Sequence, residues 1–402
     1  MGSKRKSFVA VGSLLQGSES VHQTRSELAD DIAREVYGIL GIPIDRVTLD
    51  TAVAVLESAV RSKVRFMIST PNLNFLVTSW TNEEFRESLL LSDLCPPDGR
   101  PLLWIARALQ IPITQRVAGS DFFDALKSKI GRKITVFLFG GAPSVAALAA
   151  RNINSVDGRL VCVGTLDPGY ETVERLATEP IFDSINNSGA DFLVAALGAV
   201  KGQLWLLRNK RRIKIPVRAH LGATLNFQAG TVKRAPQYIV DLGLEWLWRI
   251  KEERYLWKRY WNDGLVLVAL VLTRVLPLAV LIRWNRVFER KTNFSVSCIT
   301  TKECWTLKLT GAAVAEHAKA IASVARSALQ GNNSLAIDLS ETNYIDARII
   351  GLILMIRKTA ADHDKIITTV CVSRPVRRIL SLSGFEFLMT EPISRKPLRR
   401  SP

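Results

Sequence analysis

The sequence predicts an α/β chain: a Rossmann-like, mostly parallel sheet covered by helices, then a basic helical segment suited to a membrane, then a smaller α/β unit. Three observations carry this expectation. Short β-branched or aromatic runs alternate with helix-length intervals over the first half of the chain, an apolar run of membrane length follows, and the alternation resumes after Asn293. At about 150 residues per domain, 402 residues allow two or three compact units.

In chain order, Met1 to about Leu28 carries Lys4, Arg5 and Lys6 and is then rich in Ser, Gly and Gln. It lacks a long apolar core, so residues 1–30 read as a flexible basic tail and not as a signal peptide. Strands are expected at Val64–Ser69, Thr135–Phe139, Leu160–Val163, Asp191–Ala196 and Val217–His220, within an α/β domain over 31–230. Helix-length spacers between such runs imply βαβ units, in which ligands bind beyond the carboxyl ends of the strands.

A belt from Lys201 to Arg290 holds 18 of the 54 Lys and Arg residues against 6 acids, a surplus of 12 within a total net charge of +17. Such a surplus calls for an anionic partner: nucleic acid, anionic lipid or a phosphorylated substrate. Residues 231–290 form a helical appendage that contains Gly264–Ile282, a 19-residue apolar stretch in which only Thr273 and Arg274 break the run. That is close to the ~20 residues that cross a bilayer. Trp257, Trp261 and Trp284 flank it with Lys258, Arg259, Arg283 and Arg286, an interfacial signature. Arg274 is costly at a bilayer centre and Pro277 would kink the helix. A straight span, a shallow or re-entrant helix and a buried core helix are the three readings.

The last unit, over 293–392, shows strand Cys304–Leu309 and an Ala-rich helix, strand Ser334–Leu339 and a helix from about Ala347, then strand Ile366–Val372 and a helix around Arg377–Ser383. A basic tail with Arg395, Lys396, Arg399 and Arg400 closes the chain over 393–402. Five scattered cysteines without a CxxC pair read as reduced thiols of a cytosolic chain, and no metal site is expected.

Apolar residues at 48% against 23% charged exclude wholesale disorder. No Walker loop, GxGxxG, HExxH or GxSxG is present, which excludes most common enzyme classes. The basic belt is interleaved with Trp and the apolar run and has no nucleic-acid-binding motif, so nucleic acid is not the expected partner. Gly140-Gly141 after a strand makes a turn whose amides can meet a phosphate at a helix start, or a plain tight turn. Thr70-Pro71-Asn72-Leu73-Asn74 and Pro96-Pro97-Asp98-Gly99 place short polar groups in loops beyond strand ends; taken alone the second is a β-turn.

From about Tyr37 to Tyr260 the chain resembles the WecG/TagA/CpsF family of bacterial glycosyltransferases, glycosyltransferase family 26. The segments that carry the resemblance run in order: Gly38-Ile39-Leu40-Gly41-Ile42-Pro43-Ile44-Asp45, Thr70-Pro71-Asn72, Pro97-Asp98-Gly99, Arg116-Val117-Ala118-Gly119-Ser120-Asp121, Phe139-Gly140-Gly141, Ala196-Leu197-Gly198, and Lys233-Arg234-Ala235-Pro236 with Gly243-Leu244-Glu245-Trp246. The resemblance implies inverting transfer of a sugar, such as N-acetylmannosamine, its uronic acid or glucose, from a UDP-sugar donor to a polyprenyl-diphosphate-linked saccharide in bacterial exopolysaccharide or cell-surface polysaccharide synthesis. It places the chain at the cytoplasmic face of the bacterial inner membrane, peripheral, monotopic or held by one helix.

By match to the family's motifs, Asp98 is the base that takes the acceptor proton, and Thr70 and Asn72 orient hydroxyls. Arg116, Gly140, Gly141, Gly198, Gln203 and Asn226 are expected at the substrates. No DxD pair occurs in the region that resembles the family, and the family is regarded as metal-independent, so no cofactor is expected and arginines must stabilise the departing diphosphate. Arg234, Arg249, Arg254 and Arg259 lie in the region that resembles the family's closing appendage.

Two departures stand out. Where the family usually has Pro, one residue and then Gln-Glu ahead of a Trp, this chain has Val200, Lys201, Gly202 and Gln203 before Trp205; the family's usual Asp before the aromatic is Asn226, ahead of Phe227. These features favour an alternative function, a catalytically degenerate nucleotide-sugar-binding regulator or scaffold. The last unit resembles STAS domains through Leu335-Ala336-Ile337-Asp338-Leu339-Ser340, Tyr344-Ile345-Asp346, Gly351-Leu352 and the run from Val376 to Phe385. Ala347 follows Asp346 where regulatory relatives carry a phosphorylated serine, so the domain reads as a docking module for a protein partner.

Overall fold

The computed structural model describes residues 28, 30–241, 243–288, 293–300, 304–331, 334–363 and 365–390. Apart from Leu28 and Asp30, both terminal tails lie outside the described residues.

The chain opens with an antiparallel hairpin, β1 (Val36–Ile39) and β2 (Ile42–Asp45). Its turn places Leu40 at φ 45° and Gly41 at φ 91°, the left-handed pair that matches the twist of two short strands. Thr48 then caps α1 (Leu49–Ser62) by a reciprocal bond with Thr51.

A five-stranded sheet follows: β3 (Phe66–Ile68), β4 (Ile134–Gly140), β5 (Leu160–Leu166), β6 (Phe192–Ala196) and β7 (Val217–His220). The order is β3-β7-β6-β4-β5 and every pairing is parallel. Alternate residues build two cores. Phe66, Ile68, Val136, Leu138, Val194 and Ala219 face one side, while Met67, Phe137, Phe139, Leu193 and Ala195 face the other around Trp205. Burial on both faces explains why these strands read as nearly continuous apolar runs. The connecting helices are α2 (Leu73–Thr81), α3 (Glu83–Leu90), α4 (Arg100–Ala108), α5 (Gly119–Ser128), α6 (Val145–Asn154), α7 (Glu179–Asn186), α8 (Ala199–Arg208) and α9 (Gly222–Ala229).

The appendage comprises α10 (Gln237–Asp241), α11 (Glu245–Glu252), α12 (Trp257–Leu270), a π turn at Val271–Val275 and α13 (Leu276–Phe288). The π turn includes Thr273, whose carbonyl would otherwise receive the amide that Pro277 lacks, so the proline is absorbed without breaking the helix. Over Arg254–Arg286 this helix is long and apolar enough to cross a membrane. One face is buried through Leu270, Val275, Leu278 and Ala279, in one core with the hairpin, α4 and the last domain. The other face is bare: Trp257, Trp261, Leu265, Val268, Leu272, Leu276, Val280 and Trp284 are each 49–66% exposed. Both ends lean on protein, since Leu256 is buried and Arg283 donates to the Ala108 carbonyl at 3.3 Å.

The last domain is a four-stranded sheet of order β11-β10-β9-β8 made from β8 (Ser295–Thr300), β9 (Cys304–Ala313), β10 (Ser334–Ile345) and β11 (Ile367–Val372). The helices are α14 (Ala318–Gln330), α15 (Ala347–Asp362), α16 (Arg374–Leu382) and the short α17 (Phe387–Thr390). Strand β8 was not expected; it pairs antiparallel with β9, whereas the other pairings are parallel. Asp346 caps α15 by accepting from the Ile349 amide at 2.9 Å and also accepts from the Ala315 amide at 2.7 Å.

Helix α15 does not face solvent. It packs on the hairpin so closely that a Cβ on Gly351 would stand 2.0 Å from the Val36 carbonyl oxygen, and one on Gly38 2.5 Å from Ile350. The Arg348 guanidinium donates to the Val36 carbonyl at 3.2 Å. At the other end of the helix, Lys358 is 4% exposed and binds Asp31 at 2.8 Å and Asp93 at 2.5 Å. Arg34 extends this network to Asp31 and Asp45, each at 2.7 Å. Burial alone would push the Lys358 ammonium down, but Asp93 and Asp31 outweigh it and hold the group above the ordinary lysine value.

Candidate active site

The site assembles beyond the carboxyl end of β3, where Ser69 leads into the Thr70-Pro71-Asn72 loop. Asn72 is extended and caps α2, its Oδ1 accepting from the Phe75 amide at 3.1 Å. The Pro97-Asp98-Gly99 loop is pinned on both sides: the Asp98 amide donates to the Pro71 carbonyl at 2.7 Å, and the Val117 amide to the Pro97 carbonyl at 2.8 Å. Gly119 at the start of α5 completes the enclosure. A Cβ there would lie 2.7 Å from Leu221 and 3.4 Å from the Thr70 hydroxyl, so the close approach of the two loops requires glycine. The fold thus brings Thr70, Asn72 and Asp98 together.

Burial pushes the Asp98 carboxyl up to about 7; Glu245 and Asp121 add to the rise, while the Arg116 guanidinium and the Gly119 amide oppose it. A carboxylate of that affinity can hold or release a proton at neutral pH, which a general base requires. Arg116 is gripped by Asp121 at 2.7 Å and by Glu245 at 2.5 Å. Since Glu245 opens α11, this pair of bonds draws the appendage over the Asp98 loop. Glu245 and Asp121 lie in segments quoted above for their resemblance, but their role was not visible there.

The other expected positions are spread around this centre. Arg234 pairs with Asp121 at 3.2 Å and Asp124 at 3.1 Å, and Arg249 with Glu253 at 2.7 Å; both guanidiniums face the Phe227 ring, at 5.3 and 5.7 Å. Arg254 and Arg259 are exposed, the latter 5.1 Å from the Tyr260 ring. Asn226 is half-buried on α9, next to Phe227. Gly198 (φ 84°) precedes α8 and is exposed, with open space where a Cβ would stand. The Gly141 amide, in contrast, donates to the Ala196 carbonyl at 2.9 Å, so in this arrangement it does not offer the phosphate contact expected of it, and Gly140 is packed on the same carbonyl. Gln203 is fully buried; its Oε1 accepts from the Ser69 hydroxyl at 3.1 Å, so it acts on the site through the residue before Thr70 and not by an exposed atom.

The departure at Gly202 has a structural counterpart. A Cβ there would lie 2.1 Å from His220 Cδ2, so the imidazole at the end of β7 fills the space that a side chain at 202 would take. The ring is buried, which pushes its pKa down to about 4 and leaves it neutral at neutral pH. Gly202→Ala is expected to destabilise the fold by about 1–3 kcal/mol through overpacking. His220→Gly is expected to cost less in the Gly202→Ala background than in the parent, since the added methyl enters the space that the imidazole leaves. Thermal denaturation of the two single variants and the double variant checks this; additive effects would exclude the steric coupling.

Among the described residues no group of three or more His, Cys, Asp or Glu is arranged to hold a metal ion. Compared with known sequences, the model of the glycosyl transferase WecG/TagA/CpsF family matches residues 37–279, and the model described as Mlab, STAS domain matches residues 299–390.

Proposed function

Because the chain belongs to the WecG/TagA/CpsF glycosyl transferase family, and is thereby a glycosyltransferase of lipid-linked polysaccharide synthesis carrying a STAS domain, we propose that it transfers a sugar with inversion from a UDP-sugar to a polyprenyl-diphosphate-linked saccharide. The observation that carries this reading is the Asp98 carboxyl, poised at about 7 between the Thr70-Pro71-Asn72 loop and the appendage.

In the proposed step the acceptor hydroxyl oxygen attacks the anomeric carbon of the donor. The new glycosidic bond forms as the bond from that carbon to the diphosphate oxygen breaks, the hydroxyl proton passes to an Asp98 oxygen, and UDP leaves with the electron pair. Thr70 and the loop capped by Asn72 orient hydroxyls. Arg254 and Arg259, which are exposed, are free to meet the diphosphate charge, whereas Arg234 and Arg249 first have to exchange carboxylate partners. Incubation with radiolabelled UDP-sugars and a lipid-linked acceptor tests the reading: transfer by the parent chain and none by Asp98→Ala is expected. The missing carboxylate at Gln203 favours the regulator alternative, for which calorimetry would find UDP binding without turnover under any donor and acceptor.

The membrane reading rests on the bare helix face. Trp257 and Trp284 are 27 positions apart, about 40 Å along a helix, and between Val266 and Ile282 the opposite face belongs to the protein core. A helix so held lies in the plane of the bilayer surface, its apolar stripe in the acyl boundary and Lys258 and Arg286 among anionic headgroups. We place this surface at the cytoplasmic face, where UDP-sugars are found. Leu272→Ser with Leu276→Ser is expected to cut co-sedimentation with anionic vesicles by about 10-fold or more, given ~1.5–3 kcal/mol for each buried leucine. Unchanged co-sedimentation would exclude the in-plane seat.

A further inference from the structure

The apolar helix carries two charged side chains between Tyr260 and Ile282, Asp263 and Arg274. Both are turned onto the same helix of the transferase. Asp263 is 3% exposed and accepts from Asn74 Nδ2, at 3.2 Å to one oxygen and 3.5 Å to the other. Eleven positions later, Arg274 lies 5.1 Å from the Trp80 ring centroid while its guanidinium donates to the Ser381 carbonyl and to Glu386. Trp80 in turn donates from its indole nitrogen to the Leu40 carbonyl at 2.9 Å.

Asn74 and Trp80 stand near the two ends of α2, the helix whose N-cap is Asn72. A carboxylate buried in a membrane-facing helix is costly unless it is paired, and here its partner is two residues from the cap. The two grips therefore fix both the position and the rotation of α2, and the Thr70-Pro71-Asn72 loop is the next part of the chain. Asp98 is tied to that same loop through the Pro71 carbonyl.

We propose that Asp263 is a positioning residue for sugar transfer: by holding Asn74 it fixes the first turn of α2, so that the seat of the apolar helix on the bilayer sets where Thr70 and Asn72 stand relative to Asp98. Placement of reacting groups has steep consequences, since a displacement of about 1 Å costs on the order of 100-fold in rate. Arg274 holds the far end of α2 and joins it to the STAS domain, so the three parts of the chain meet on one helix.

The inference rests on the reading of the Asp98 loop as the transfer site, and its test includes a readout that does not use activity. In the full chain on anionic vesicles, Asp263→Ala is expected to lower kcat by about 10- to 100-fold with KM for the UDP-sugar within about 2-fold of the parent and vesicle binding unchanged. Asp263→Asn keeps an acceptor oxygen for Asn74 and is expected to restore most of the rate. Asn74→Ala removes the same bond from the other side, so it should match Asp263→Ala, and the double variant should be no worse than either. Independently of turnover, hydrogen exchange at the Phe75 amide, which is bonded to the Asn72 cap, is expected to quicken by at least 10-fold in Asp263→Ala. Parent-like exchange there, additive losses in the double variant, or a fall in kcat that follows lost vesicle binding would each overturn the proposal. If the parent transfers no sugar at all, the exchange result still decides it and only the transfer reading fails.

Discussion

Asp98→Asn is expected to lower kcat by about 10²- to 10⁴-fold and, above pH 7, to make the protein more stable. The two effects share one cause. Below the ordinary carboxylate value of 3.8, Asp98 is neutral both in the fold and in the unfolded chain. Between that value and about 7 the folded chain keeps a proton that the unfolded chain has lost. Stability from this group therefore falls as pH rises through that window and is lowest above 7. Asparagine removes the buried charge, so a gain in Tm of about 1–4 °C is expected at pH 8 and none at pH 4. In the parent, kcat/KM should rise with pH through a midpoint near 7 as the base is unmasked. Calorimetric scans at the two pH values, with rates between pH 5.5 and 8.5, check both halves. A flat rate profile would remove Asp98 from the role of base, and an Asn variant no more stable at pH 8 would remove the burial argument.

The second large effect is expected at the seam between the two domains. Lys358→Ala leaves Asp31 and Asp93 facing each other without their shared cation, and breaking one member of a buried network costs about 3–5 kcal/mol. Asp31 sits below the ordinary carboxylate value: burial acts to raise it, but the Lys358 and Arg34 cations together outweigh burial. Its contribution is therefore present above the ordinary value and is lost as pH falls through the lowered one, so the difference between parent and variant should shrink in acid. Because Asp93 also accepts from the Met67 amide of β3 at 2.7 Å, the damage should reach the strand that precedes Thr70. Urea unfolding followed by tryptophan fluorescence at pH 7 measures the loss, and a value under about 1 kcal/mol would mean that the network is solvated and not structural.

How much of this was legible in the sequence depended on the range of the interaction. The parallel strands were visible because both of their faces are buried, so that Val136–Phe139 and Phe192–Ala196 are local apolar runs with little to interrupt them. The hairpin of β1 and β2 was seen as a motif but not as a hairpin. Its turn uses Leu40 at a positive φ, and leucine gives no turn signal. Strand β8 is not legible as one because Ser295–Thr300 holds only Val296, Cys298 and Ile299 as apolar residues and gains its ladder from β9. The cluster of Thr70, Asn72 and Asp98 was legible through resemblance, whereas its electrostatics were not. Glu245 and Asp121 raise Asp98 from positions 147 and 23 residues away in the chain. Arg274 looked like a defect in an apolar run for the same reason, since its acceptor, the Ser381 carbonyl, lies 107 residues further on.

The packing of α15 on the hairpin also has a consequence for the order in which the protein is made. The hairpin leaves the ribosome well before the helix that covers it, since Arg348, which bonds to Val36, follows 312 residues later. At roughly 5–20 residues per second, the nascent transferase waits about 15–60 s for the helix that covers its first two strands. Throughout that interval the sheet domain can form, but the apolar hairpin face stays uncovered and prone to wrong association. The apolar helix emerges before α15, so the bilayer or a chaperone meets the chain while it is still unfinished. A gene shortened before the last domain would hold the chain permanently at that stage, and its product should aggregate although every residue of the sugar-transfer loops is present.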